Sequence, residues 1–303
     1  CVYQKFKNRA AVLSRERKGE NFMQKLLLKS GSVTRNTKIV QISDAHIIVP
    51  DKRDGDLYKI EKERKLFFER EALNRTGEVR YAEEELYEAI DYAKCADLTV
   101  FTGDMAEFAT QTNVDRLAEF FKKSGDFLYT FGNHDYLRCY LQAENPQQQR
   151  EQNGKMYKKV VGNDLEFSVR NVNNVNIVAM DNSLLQFSER QYTDLKKTFE
   201  EDRDAILFMH VPLYHPSLDK IGLEEVGLIA NACGGDYNLV SPFYPTETTK
   251  KVIELIRKNH KKVLAIMTGH NHYTARILYY ENIIECVCAP TYLHDFYEIE
   301  IVK

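Results

Sequence analysis

The chain alternates between short apolar runs and longer amphipathic stretches, and five of the apolar runs stop at a polar motif. Residues 38–43, 98–103, 127–132, 205–209 and 263–269 are near-continuous apolar runs of the length of buried strands. Between them lie helical patterns. Residues 57–71 predict a helix that packs Leu57, Ile60 and Phe67/Phe68 on one side. Residues 81–96 set Leu86, Ala89, Ile90 and Ala93 at the spacing of a core-facing stripe. A third helix is expected to open at Asn113 as its N-cap and to bury Leu117, Phe120 and Phe121. Ser188 with Gln191 reads as a capping box for a helix reaching about Glu201, and residues 247–259 present Val252, Ile253, Leu255 and Ile256. Strands alternating with helices predict a right-handed βαβ core. Residues 165–181 differ, because two alternating runs flank Asn173-Asn174 as a hairpin would, and residues 274–303 repeat that strand–turn–strand rhythm. The expected fold class is α/β, with two mixed sheets packed face to face and helices outside.

The polar motifs that end the five runs are Asp44-Ala45-His46, Gly103-Asp104, Gly132-Asn133-His134-Asp135, His210, and Gly269-His270-Asn271-His272. Ligands bind in the crevice at the carboxyl ends of strands in open α/β sheets, so these five ends can converge. Asp and Asn oxygens with His nitrogens, and no cysteine, suit Mn, Fe, Zn or Co better than calcium or an iron–sulfur cluster. Two such ions about 3.5–4 Å apart can clamp an in-line displacement at phosphorus. Counting ligands gives Asp44, His46, Asp104 and His272 to one ion, and Asp104, Asn133, His210 and His270 to the other, with Asp104 bridging. His134 and Asp135 are left as a catalytic pair. Residues two apart on an extended segment face the same way, which lets Asp44 with His46, and His270 with His272, reach one centre.

In this order the five motifs resemble those of the calcineurin-like metallophosphoesterase superfamily, from about Lys38 to the C-terminus, and the GNHD and GHxH motifs are the most specific parts. The resemblance implies a four-layer α/β/β/α sandwich and a dinuclear centre of divalent or trivalent ions (Mn, Fe or Zn) bridged by Asp104. It also implies a leaving-group acid at His134. Met209 stands before His210 where the family often has Gly, but the ligand and Pro212 are both present. The function it implies is metal-dependent hydrolysis of small phosphodiesters or phosphomonoesters, by a metal-bridged hydroxide attacking phosphorus. A nuclease is the rival enzyme reading. It would need a basic strip or stacking platform, of which the aromatics near the motifs, Tyr136, Tyr214 and Tyr273, give only a weak sign. A scaffold that had lost the chemistry is the rival of another class, but such a chain would be expected to lack a ligand or His134, and this one has them all.

Size and composition narrow the picture further. With 303 residues, 43% of them apolar, one large domain is favoured over two. The net charge of −3 gives no global basic footprint, so nucleic acid is not an obligatory partner, and no run approaches the ~20 apolar residues of a membrane span. Residues 1–36 are basic and polar and read as a helical arm or tether ahead of a catalytic domain spanning 37–303, with residues 213–246 as a structureless loop able to form a lid. The six cysteines are scattered and read as reduced thiols, which favours the cytoplasm; an exported lipoprotein anchored through Cys1 is the alternative. Glu107 and Arg138 follow motifs closely and are candidates for substrate or water contacts, Arg138 with Asn133 and His134 as substrate-binding residues. Asp181, His215, His260 and His294 read as structural.

Overall fold

A computed structural model describes residues 22–139, 145–235 and 244–303. Its centre is two sheets. The first runs in the order β1 (Phe22–Lys29), β11 (Asp295–Val302), β2 (Thr37–Ile42), β3 (Leu98–Phe101) and β4 (Phe127–Tyr129). The second runs β5 (Phe167–Val172), β6 (Val175–Met180), β7 (Ala205–Phe208), β8 (Val263–Thr268), β10 (Ile283–Val287) and β9 (Ala275–Tyr280). Both are mixed, with β2–β3–β4 and β6–β7–β8–β10 parallel.

Period-two alternation divides the strand residues between layers. Ile39, Val100 and Leu128 meet Ile177, Ile206 and Met267 in the apolar layer between the sheets. Val40, Ile42 and Phe101 point the other way, into a cluster shared with α2 (Ala82–Ala93), α3 (Gln111–Phe121) and Tyr157 of α4 (Pro146–Tyr157). Val178 and Leu207 pack against α5 (Glu189–Glu200) and α7 (Glu247–Lys258). The result is the four-layer α/β/β/α sandwich. Buried Gln41 ties the layers at the motif end, donating to Thr102 Oγ1 and to the Thr268 carbonyl, both at 2.9 Å.

Asn173 and Asn174 form the expected hairpin turn, both with positive φ (49° and 70°), as a two-residue turn matched to strand twist requires. The Ser188–Gln191 capping box opens α5. Cys286 and Cys288 share the layer between the sheets as free thiols; Cys1 lies outside the described residues.

Four expectations need correction. The helical-arm reading of residues 1–36 fails at Phe22, because β1 pairs in parallel with β11 and buries Leu26 and Leu28 between the sheets; residues 1–21 lie outside the described residues. Lys25 and Lys29 border the run on exposed positions and mimic a solvated helix face, so the catalytic fold begins before residue 37. The N-cap of α3 is Thr110 rather than Asn113. Asn113 is buried in the first turn and accepts from the Val49 N–H at 2.8 Å. On α1 (Leu57–Thr76), Phe68 is buried but Phe67 is half exposed. The segment 213–246 is not structureless: it contains α6 (Pro216–Glu225) and a bridge between Leu213 and Cys233, and its residues 236–243 lie outside the described residues.

One core residue makes stability depend on pH. Glu285 on β10 is fully buried. One carboxyl oxygen accepts from the Leu213 N–H at 2.7 Å and the other has no partner among the described residues. Burial pushes its pKa up to about 8, and the titratable groups around it include Cys233, Tyr273, Tyr279 and the adjacent Cys286. A raised carboxyl pKa means that the native state holds a proton the unfolded chain has already lost. The stability held below the ordinary Glu range is therefore lost as pH rises toward 8. Melting temperatures of wild type and Glu285→Gln, compared at saturating metal from pH 5 to 9, should diverge with rising pH. The wild type loses on the order of a few kcal/mol more than the variant. Parallel curves would rule this origin out.

Candidate metal centre and active site

The five expected strands deliver their motifs to one spot, and the backbone there is unusual. Asp44, His46, Asp104, His270 and His272 all have positive φ, between 47° and 71°. Left-handed backbone at non-glycine residues costs energy and clusters at functional sites. Two close approaches explain the glycines that precede the motifs. A Cβ on Gly132 would collide with the Asp104 carboxylate, and one on Gly269 with Ser43 and Asp44.

The side chains form two adjoining clusters. Asp44, His46 and His272 make the first: His46 Nε2 lies 3.0 Å from His272 Nε2, and His272 Nε2 lies 3.5 Å from Asp44 Oδ1. Asp104, His210 and His270 make the second: His210 Nε2 is 3.2 Å from Asp104 Oδ2 and 3.1 Å from His270 Nδ1. Asp104 Oδ2 also lies 4.0 Å from His46 Nε2, so one carboxylate stands between the two clusters. Asn133 Oδ1 is buried with no hydrogen-bond partner among the described residues, and a buried carbonyl oxygen left unpaired is costly unless a cation takes it. Facing imidazole nitrogens, two buried carboxylates and an orphaned amide oxygen form a donor set that fits two transition-metal ions.

The electrostatics agree with that fit. Burial would lower the His46 pKa, but hydrogen bonds to Asp44 and Glu107 carry it up to about 10. Burial likewise opposes, and Asp104 overrides, at His210, which rises to about 9. His270 goes the other way, to about 3, because burial and the neighbouring His210 both disfavour a second charge. Burial would raise Asp44 and Asp104, yet the surrounding histidines hold both lowered. The carboxylates thus stay anionic and hold positive charge beside them.

His134 and Asp135 part company. Asp135 does not orient His134; its carboxylate accepts from the backbone N–H groups of Asp104, Met105, Ala106 and Gly132 at 2.8–3.1 Å. It therefore clamps the loop that carries Asp104. The carboxylate facing His134 is Glu107, whose Oε2 lies 3.0 Å from His134 Nδ1 and 2.7 Å from His46 Nδ1. The His134 backbone N–H donates to Asp104 Oδ1 at 2.8 Å, and its ring stays partly exposed at the rim. Arg138 is exposed and lines another cavity, with Arg53, Asp54, Gln149 and Asn153, which no residue of the two clusters touches.

Arg64, Phe68, Glu71 and Tyr292 surround the ligands but fell outside the predicted site, while Glu107, expected to contact substrate or water, faces His46 and His134 instead. Glu107 had a visible signal, lying three residues past Asp104 in a turn tightly bound to the centre. The others had none, since Arg64 and Glu71 sit in a charged helix and Tyr292 is nearly 200 residues from Asp104. Asp181, by contrast, is structural as expected: it binds the Ser183 N–H at 2.9 Å and Arg150 Nε at 2.6 Å. His215 caps α6, His260 meets Asn282, and His294 pairs with Glu85.

The family model for calcineurin-like phosphoesterases matches residues 37–274. The chain belongs to that family. It is accordingly a hydrolase acting on phosphate esters, of a family that uses two metal ions. Among solved structures, a purple acid phosphatase from yellow lupin is similar at 13% identity and a TM-score of 0.52, over 86% of this chain and 46% of the other. A dimetal phosphatase from Danio rerio aligns at 15% identity and a TM-score of 0.48, over 84% and 88% of the two chains. A putative 5'-nucleotidase from Staphylococcus aureus aligns at 10% and 0.45, over 84% and 49%. At these identities the likeness is one of fold. No curated protein sequence matches the chain. No helix among the described residues is long and apolar enough to cross a membrane.

Proposed function

We propose that this phosphoesterase hydrolyses small phosphodiesters or phosphomonoesters at a dinuclear centre. Asp44, His46 and His272 would hold one ion, and Asn133, His210 and His270 the other, with Asp104 shared. The observation that carries the reading is the placement of Asp104 between two facing histidine clusters, with His134 anchored to it at the rim. The ions, when bound, supply positive charge for the phosphoryl oxygens and acidify water. The chain's own contribution is positioning and proton transfer. Glu107 holds His134 Nδ1, which leaves Nε2 to give a proton to the departing ester oxygen.

A cavity of about 230 Å³ opens beside His46, lined by Phe68 and Tyr292 and by charges of both signs, Lys65 and Arg80 with Glu69, Glu83 and Glu84. Its volume suits a small ester better than a folded polynucleotide. The described part of 213–246 borders the centre at Asn271, whose side-chain oxygen accepts from the Asn231 N–H at 3.0 Å. That contact supports reading the segment as the one that would limit substrate size. Aryl phosphate, bis-aryl phosphate, nucleotide and cyclic nucleotide substrates, each assayed with Mn, Fe, Zn and Mg supplied singly, test the reading. Turnover of at least one small ester, dependent on added metal, is the expected result. Cleavage of duplex DNA as fast as the best small ester would sink it.

A further inference from the structure

Helix α1 lies against the centre, and its inward face repeats at helical spacing through Leu57, Glu61, Arg64, Phe68, Glu71, Ala72 and Arg75. Four of those side chains reach the first cluster or a residue bound to it. The Phe68 ring stacks on His46, with centroids 4.7 Å apart and planes 26° apart. Arg64 Nε donates to Glu107 Oε1 at 2.7 Å, and the other oxygen of Glu107 holds His46 Nδ1. Arg75 donates to the His272 carbonyl at 2.7 Å. Glu71 accepts from the Tyr292 hydroxyl at 2.9 Å, and that hydroxyl lies 3.1 Å from His272 Nδ1.

The last contact has only one consistent proton arrangement. A phenol has a single O–H, and Tyr292 gives it to Glu71. The phenol oxygen must then accept from His272 Nδ1–H. That leaves the Nε2 lone pair of His272 directed toward Asp44 and His46, where a cation would sit. The second cluster is held without α1. His210 Nδ1 faces the Thr102 carbonyl at 2.8 Å, and His210 and His270 extend from β7 and β8.

We propose that α1, through the Glu71–Tyr292–His272 relay, sets the affinity of the metal position formed by Asp44, His46 and His272 and leaves the other position to the strands. The inference rests on the dinuclear reading above. Glu71 and Tyr292 are positioning residues, since they act on the ion only through His272.

The test is metal binding by the full chain. Stripped protein is titrated with Co(II), following calorimetry, bound metal per chain and the visible absorption of the cobalt. Tyr292→Phe keeps the ring that packs on Phe68 and loses only the hydroxyl. Tyr292→Phe and Glu71→Leu should each weaken one of the two ions roughly 10–100-fold, the usual cost of losing an outer hydrogen-bond partner of a ligand histidine, and leave the other unchanged. Glu71→Gln keeps an acceptor and should restore near wild-type affinity. The double variant Glu71→Leu/Tyr292→Phe should bind no more weakly than the worse single variant, because both break one relay. Equal loss of both ions, no loss of either, or failure of Glu71→Gln to rescue would each overturn the proposal. If wild type itself takes up fewer than two ions, the dinuclear reading fails first.

Discussion

Asp104→Asn should cost the protein both metal ions together. The carboxylate stands between the two clusters, 3.2 Å from His210 Nε2 and 4.0 Å from His46 Nε2, and a neutral amide cannot bridge two cations as a carboxylate does. The substitution also removes the anion that holds His210 protonated in the stripped site. Asp104 Oδ1 further accepts the His134 backbone N–H, so an amide turned the wrong way would loosen the GNHD loop as well. Elemental analysis of the purified variant should find well under two ions per chain. Hydrolysis should fall roughly 10³-fold or more, beyond the loss of a single transition-state donor. Removing a ligand of one cluster only, as in His210→Ala, should spare more of the metal. Full occupancy and normal turnover in Asp104→Asn would end the two-metal reading.

The strands and their motifs were legible because burial on both faces writes itself as unbroken apolar runs, and each run here stops at a ligand. The GHNH and DAH motifs do converge, but not as the extended segments expected: Asp44, His46, His270 and His272 all adopt left-handed backbone. What surrounds the ligands was not legible. Arg64, Glu71 and Arg75 are charged residues on a charged helix and look solvated until the helix is seen lying on the centre. The role given to Asp135 went to Glu107, because adjacency in sequence is a poor guide to facing in a turn: Asp135 points back into the Asp104 loop. β1 was missed because its partner, β11, is more than 270 residues away, and nothing local marks such a pairing. The physical distinction is between patterns set by one element's own burial and contacts set by two elements far apart in the chain.

His134 offers the sharpest separation of chemistry from metal binding. Its ring is partly exposed, its backbone N–H donates to Asp104, and Glu107 faces its Nδ1. Burial would lower its pKa, but Glu107 and Asp104 raise it above the ordinary histidine value, which favours the protonated, proton-donating form. His134→Asn should keep both ions and slow turnover roughly 10²–10⁴-fold, the range of a general acid–base contribution. The loss should be large for alkyl esters, whose leaving oxygen needs a proton, and small for nitrophenyl esters, which depart as stable anions. Replacing the partner tests the same geometry from the other side. Glu107→Gln should reproduce part of the loss, with the same leaving-group dependence. It should also disturb the first cluster, since Glu107 holds His46 as well. Metal content measured alongside the rates separates the two effects in that variant. If His134→Asn slows good and poor leaving groups equally, His134 is not the proton donor, and a role in holding the substrate phosphate takes its place.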